Sequence, residues 1–195
     1  MSDMAATSMD RVRDRPISVG DYHRMGDANI FHADERVELL NGRIVAMPPI
    51  GPDHAYVVTK LDGLLRAVFG GRAEVRSQQP LTLDSGSEPE PDLVLARHPA
   101  ERYRKTHPTA SDVFLVIEVS NATLAYDRGE KLAAYARSGV REYWIVNLAD
   151  QVLEQHAEPK GEAFAHRRVF RPGDNVAVAE FPTDTIAVAE ILGLA

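Results

Sequence analysis

The spacing of apolar residues changes character several times along the chain. Residues 1–16 are polar, mixed in charge and without period, which predicts a tail. Ser18 and Asp21 have capping-box spacing and open a short predicted helix, ISVGDYHRMGD, which Gly20 weakens. RVELL and RIVAM are short apolar runs separated by Asn41-Gly42, the strongest short-range hairpin signal, because both turn residues must accept positive φ. Pro48, Pro49, Gly51 and Pro52 break the chain. HAYVVTKLDGLLRAVF follows with Val57, Val58, Leu61, Leu64, Leu65 and Val68 at helical spacing, and Gly70-Gly71 ends it.

AEVRSQQPLTL reads as extended, SGSEPEPD as a turn-rich loop and DLVLA as a short strand. VFLVIEV has almost no polar member, which predicts a central strand buried on both faces. RGEKLAAYARSG reads as a helix closed by Gly139, and REYWIVNL as a second buried strand. QVLEQHAE and FAHRRVFRPG alternate like a solvent-facing meander, and TDTIAVAEILG predicts a short strand and helix. The order is hairpin, helix, strands, helix, strands. It predicts an α/β (mixed α+β) fold, a mixed β-sheet flanked by helices and not a repeated βαβ unit. With no internal repeat or linker, the boundaries are a tail over 1–16 and a single domain over 17–195.

Composition narrows the function. A chain of 195 residues buries roughly 70% of its unfolded surface, enough for a core without staples. Zero cysteines exclude disulfides, thiolate nucleophiles and thiolate metal sites. No apolar run approaches a membrane span, and the N-terminus lacks a secretory pattern, so a cytoplasmic protein is expected. The net charge of −7 argues against coating nucleic acid by charge alone. No glycine-rich phosphate loop is present.

Two acids stand out. Glu118 sits late in a continuous apolar strand, where a charge is costly unless paired or metal-bound. Asp92 opens the other short apolar strand. If the strands are neighbours, both carboxylates project from one end of the sheet. At about 4 Å they repel by roughly 4 kcal/mol at an effective dielectric near 20, and a divalent cation turns that repulsion into binding. Oxygen ligands without sulfur favour Mg²⁺ or Mn²⁺. The alternative is a salt bridge or a strand end for each. Lys131, near the start of the next helix, leans toward the same sheet end, where it can polarise water or stabilise charge on phosphate. Its alternative is an i,i+4 pair with Asp127.

Pro91-Asp92 followed by Glu118 on a central strand resembles the bipartite motif of the PD-(D/E)xK, restriction-endonuclease-like nuclease superfamily. The segments VELLNGRIVAMPPIGPDH, PEPDLVLA and LVIEVSNATLAYDRGEKLAAYARSGVREYWIVN resemble the Uma-type family within it, once a domain of unknown function. The resemblance spans roughly residues 18–192. It implies a restriction-endonuclease-like core and a metal-dependent endonuclease. Asp92, Glu118 and the Val119 carbonyl would bind Mg²⁺ or Mn²⁺, and Lys131 would be the catalytic lysine. The superfamily carries that lysine two residues after the acid, where this chain has Ser120. Glu38 matches the family's upstream acid and would add a water-mediated metal contact. Gln78 would orient water or phosphate, and His54 would contact phosphate or assist proton transfer. The alternatives are a hairpin residue for Glu38 and a local hydrogen bond for His54. Tyr126, Tyr135, Tyr143 and Trp144 read as packing.

The implied substrate is nucleic acid, DNA first, with no membrane partner. A homodimer follows by analogy, since cutting both strands takes two sites. Two rivals stay open. One is an inactive binding protein on the nuclease fold, meeting DNA through the basic loop Arg97, Arg102, Arg104 and Lys105. The other is a two-carboxylate hydrolase such as a glycosidase.

Overall fold

The computed structural model describes residues 13–32 and 34–194, so residues 1–12 of the predicted tail lie outside the described residues. In chain order the elements are α1 (Val19–Asp27), β1 (Val37–Leu40), β2 (Arg43–Ala46), α2 (Pro52–Phe69), β3 (Ala73–Ser77), β4 (Leu93–Arg97) and β5 (Val113–Ser120). A continuous helical segment follows: α3 (Leu124–Tyr126), a π-helical turn (Asp127–Lys131) and α4 (Leu132–Arg137). Then come β6 (Glu142–Asn147), β7 (Val152–Lys160), β8 (Ala163–Phe170), β9 (Asn175–Ala177), β10 (Thr185–Ala187) and α5 (Val188–Ile191).

The two most apolar runs, β5 and β6, are buried along their whole length and pair in parallel. A parallel pair needs a crossover. The segment from α3 to α4 supplies it, and Gly139 closes it at φ 82°. The remaining pairings are antiparallel, giving a six-stranded mixed sheet in the order β3-β4-β5-β6-β7-β8. Alternation along β5 sends Ile117 and Val119 into a core with Leu61, Leu65 and Phe69 of α2 and with α5. Val116 faces the other way, against Tyr135, Tyr143 and Ile145 beneath α4.

The capping box at Ser18 forms as its spacing predicts, and Pro52 occupies the first turn of α2. The β1–β2 hairpin turns on Asn41 and Gly42 at φ 53° and 71°. It is stitched down: Gly42 N–H donates to Gly86 at 2.7 Å, Ile17 N–H to Gly42 at 2.9 Å, and Glu88 N–H to Leu39 at 2.8 Å. These bonds carry Glu38 of β1 into the interior. The first meander strand is less solvent-facing than its alternation suggests. In β7, Glu154 is fully buried, with Arg128 Nε 2.9 Å and Arg167 Nη2 3.0 Å from its oxygens. It ties the π-helical turn to the sheet.

Two predictions follow from this arrangement. A Cβ at Gly42 would lie 2.5 Å from Pro16 Cβ at a positive φ, so Gly42→Ala lowers stability by about 1–3 kcal/mol, read by urea unfolding. Burial alone would raise the Glu154 carboxyl, but hydrogen bonds from Arg128 and Arg167 outweigh it and hold it below its usual range. The unfolded chain therefore binds that proton more readily. The stabilisation is complete above the unfolded value, near 4.3, and is lost as pH falls through the folded one. The gap in melting temperature between wild type and Glu154→Gln should narrow as pH falls from 6 toward 3; a constant gap contradicts this.

Candidate active site

β4 and β5 run antiparallel, with Leu93 opposite Ile117, so Asp92 and Glu118 stand next in line at one end of the sheet. Val119 N–H donates to Asp92 Oδ2 at 2.9 Å, and His54 Nε2, at the start of α2, lies 3.0 Å from the same oxygen. Asp92 Oδ1 has only a long contact, 3.5 Å, from Gln78 Nε2. Glu118 lies on the opposite side of β5 from the α2 core, and α4 packs over it. Its Oε1 accepts from Lys131 Nζ at 2.9 Å and from the Tyr135 hydroxyl at 2.7 Å, while Oε2 receives no hydrogen bond among the described residues.

Lys131 is 1% exposed. Its ammonium also lies 3.2 Å from Glu38 Oε2, so it bridges β1 and β5. Glu38 accepts in turn from the Tyr126 hydroxyl at 3.0 Å and from Glu90 N–H at 3.2 Å. The π-helical turn makes this arrangement possible. Its i→i+5 spacing brings Lys131 over the Tyr126 ring, 5.8 Å from the centroid. Asp127 fixes the start of the turn by accepting from Ser120 Oγ at 2.6 Å and Thr123 Oγ1 at 2.7 Å. The position that holds lysine in the wider superfamily thus serves here to anchor the element carrying Lys131.

Glu38, Asp92, Glu118, Asp127 and Lys131 line a cavity of about 260 Å³, together with the link from Met47 to Pro52. Its wall carries Glu38, Asp53, Glu90, Asp92, Glu118 and Asp127 against only Arg36, Lys131 and His54. Burial raises Glu118 to about 8, eased by Lys131 and reinforced by Asp92, Asp127 and Glu38. Burial opposes the Lys131 charge, yet Glu118, Glu38 and Asp127 overcome it and hold the amine protonated, above its ordinary value. Glu90 and Asp127 are raised by burial as well.

The family model described as "Uma2: Putative restriction endonuclease" matches residues 19–189. The chain belongs to the Uma2 family. A crystal structure of a putative nuclease belonging to DUF820 from Anabaena variabilis ATCC 29413 has the same fold, with a TM-score of 0.69. The two are 13% identical, and the match covers 92% of this chain and 99% of that one. No curated protein matches. The expected mixed sheet flanked by helices is therefore the Uma2 fold.

In this Uma2 chain, Glu38, His54, Asp92, Glu118, Val119 and Lys131 come together on one cavity wall. Gln78 makes the long contact to Asp92 Oδ1 but does not line that wall. Lys131 pairs with Glu118 and Glu38, across the fold, and not with Asp127 one turn back. The His54 contact is likewise long-range. Sequence reasoning assigned Tyr135 and Tyr126 to packing alone, whereas their hydroxyls hold Glu118 and Glu38. Tyr135, four residues after Lys131, was detectable as a same-face neighbour; Tyr126 was not, because only a π turn aligns it. Glu90 and Asp127 gave no signal, because their burial comes from distant elements.

Lys131→Met leaves two buried carboxylates unpaired and costs about 3–5 kcal/mol in urea unfolding, while Tyr135→Phe removes one donor and costs about 1–2 kcal/mol. A Lys131→Met protein as stable as wild type would show that the ammonium does not hold these acids.

Proposed function

We propose that this protein is a divalent-cation-dependent endonuclease that hydrolyses phosphodiester bonds in DNA. The observation that carries the reading is a buried lysine amine 2.9 and 3.2 Å from the carboxyl groups of Glu118 and Glu38 at one sheet end, beside Asp92, on a cavity wall with a large excess of acids. Such a wall repels a phosphate until positive charge is added.

The donor set fits Mg²⁺ or Mn²⁺. Among the described residues, no three His, Asp or Glu side chains gather into a ready metal cage. Mg²⁺ needs no such cage: it keeps several waters and takes one or two carboxylates. Among the described residues, neither Asp92 Oδ1 nor Glu118 Oε2 has a good donor, and both acids face one cavity. Val119 presents its backbone on the edge of β5 that faces Asp92, so its carbonyl is the third oxygen. A cation held there would neutralise phosphate charge and lower the pKa of a coordinated water.

The chain's own residues do the rest. Val119 N–H and His54 fix Asp92 through Oδ2 and so aim Oδ1. Tyr135 and Lys131 fix Glu118 through Oε1. Lys131 keeps its proton, so it acts as a fixed positive charge toward phosphate and not as a base. Glu38 keeps that ammonium in place from the far side, with Tyr126 behind it. A homodimer would place two such sites on the two strands of a duplex.

Plasmid and single-stranded DNA incubated with Mg²⁺ or Mn²⁺ should be cut by the wild type and left intact when EDTA is added. Asp92→Ala and Glu118→Ala should each lose at least a hundredfold in rate, while circular dichroism shows them folded. Retained cutting by both variants ends this reading. Titration calorimetry separates the inactive-binder alternative, which takes up neither cation.

A further inference from the structure

An acidic cavity cannot hold a long polyanion by itself, so the strand must be gripped outside it. The basic loop that begins at Arg97 is badly placed for this. Asp92 precedes β4 and Arg97 closes it, so the loop starts about 16 Å from Asp92 along the strand, at the other end of the sheet. Arg97 lies over the Phe114 ring and Arg102 pairs with Asp112.

The β8 edge differs. The register carries Glu118 to Ile145, Ile145 to Glu154 and Glu154 to Val169. The end of β8 is therefore level with Glu118, three strands across. The chain there reads His166-Arg167-Arg168-Val169-Phe170-Arg171. One buried carboxylate, Glu154, holds Arg167 and also Arg128, which comes from the same π-helical turn as Lys131. Arg168 projects from the other face of this edge strand, and Arg171 follows its end; both are exposed, and their guanidinium groups have no ion-pair partner among the described residues. Against these four arginines stand Glu154, Asp150 at 4.0 Å from Arg128, and Asp174, which accepts the Arg171 backbone N–H. A positive excess remains in a chain of net charge −7. Three strand spacings are about 14 Å, and a nucleic-acid strand advances about 3.4 Å per nucleotide. A phosphate about four nucleotides from one in the cavity reaches this rim.

We propose that Arg167, Arg168 and Arg171, wrapping round the free edge of β8 near its end, form with Arg128 a phosphate-backbone contact surface for the nucleic acid whose scissile phosphate enters the cavity. The inference rests on the nuclease reading above. Charges on an edge strand also discourage pairing between copies, so the test keeps the charge and reverses its sign.

The full chain is titrated against a short fluorescein-labelled DNA duplex in Ca²⁺, with anisotropy read over a range of salt. Arg168→Glu/Arg171→Glu should bind about tenfold more weakly or worse, with a log–log salt slope shallower by about two. Arg104→Glu/Lys105→Glu, on the far loop, should match wild type. If the reversed pair fails the melting control, Arg168→Gln/Arg171→Gln decides, with a smaller loss expected. Wild-type affinity in the β8 variant, or an equal loss in the loop variant, overturns the surface. In either case wild-type cleavage with Mg²⁺ leaves the nuclease reading standing; a wild type that neither binds nor cuts DNA sinks both.

Discussion

One buried ammonium organises the functional end of this molecule. Lys131 is almost fully buried, which is costly unless carboxylates replace the lost hydration. Glu118 and Glu38 do so at 2.9 and 3.2 Å, and they come from a central strand and from a hairpin more than seventy residues earlier. That contact joins the backbone hydrogen bonds at Gly42 and Leu39 in holding the hairpin, and the ammonium offsets the cost of burying the carboxylates. The two tyrosine hydroxyls and the Glu90 N–H complete the shell on the carboxylate side. Removing any one member leaves a polar group stranded in a place that water does not serve.

The helical segment is shaped by this requirement. A regular α-helix from Leu124 to Arg137 would rotate Lys131 away from its place over Tyr126. The π turn absorbs the mismatch, and π turns are frequent at functional sites. Ser120 and Thr123 pin Asp127 at the start of the turn. The lysine is thus fixed as firmly by the helix as a strand would fix it, although it lies eleven residues beyond Ser120 in the chain.

The charge distribution divides the surface into two roles. The cavity concentrates acids, so its field attracts cations and repels anions. The β8 edge concentrates arginines, two of them already oriented by Glu154. A net charge of −7 is compatible with a nucleic-acid enzyme because these opposite signs are separated along one row of the sheet and do not cancel.

The helix caps, the Asn41-Gly42 turn, the two buried strands and the helical period of α2 were all legible in the sequence, since each rests on contacts within a few residues. So was the expense of Glu118 in an apolar run, which marked it as paired or metal-bound. What the chain order could not give was the partner. That Lys131 bonds Glu38 and not Asp127, that His54 reaches Asp92, and that Glu154 binds Arg128 and Arg167 depend on which strands become neighbours and in what register. The basic loop after β4 and the basic end of β8 look equivalent as sequence; only the antiparallel sense of β4 and the register through β7 set one far from the acids and the other level with them. Local propensity and hydrophobic period are encoded residue by residue, whereas the burial of a charge and the choice of its counter-ion are properties of the packed sheet, because they exist only once distant segments have excluded water together.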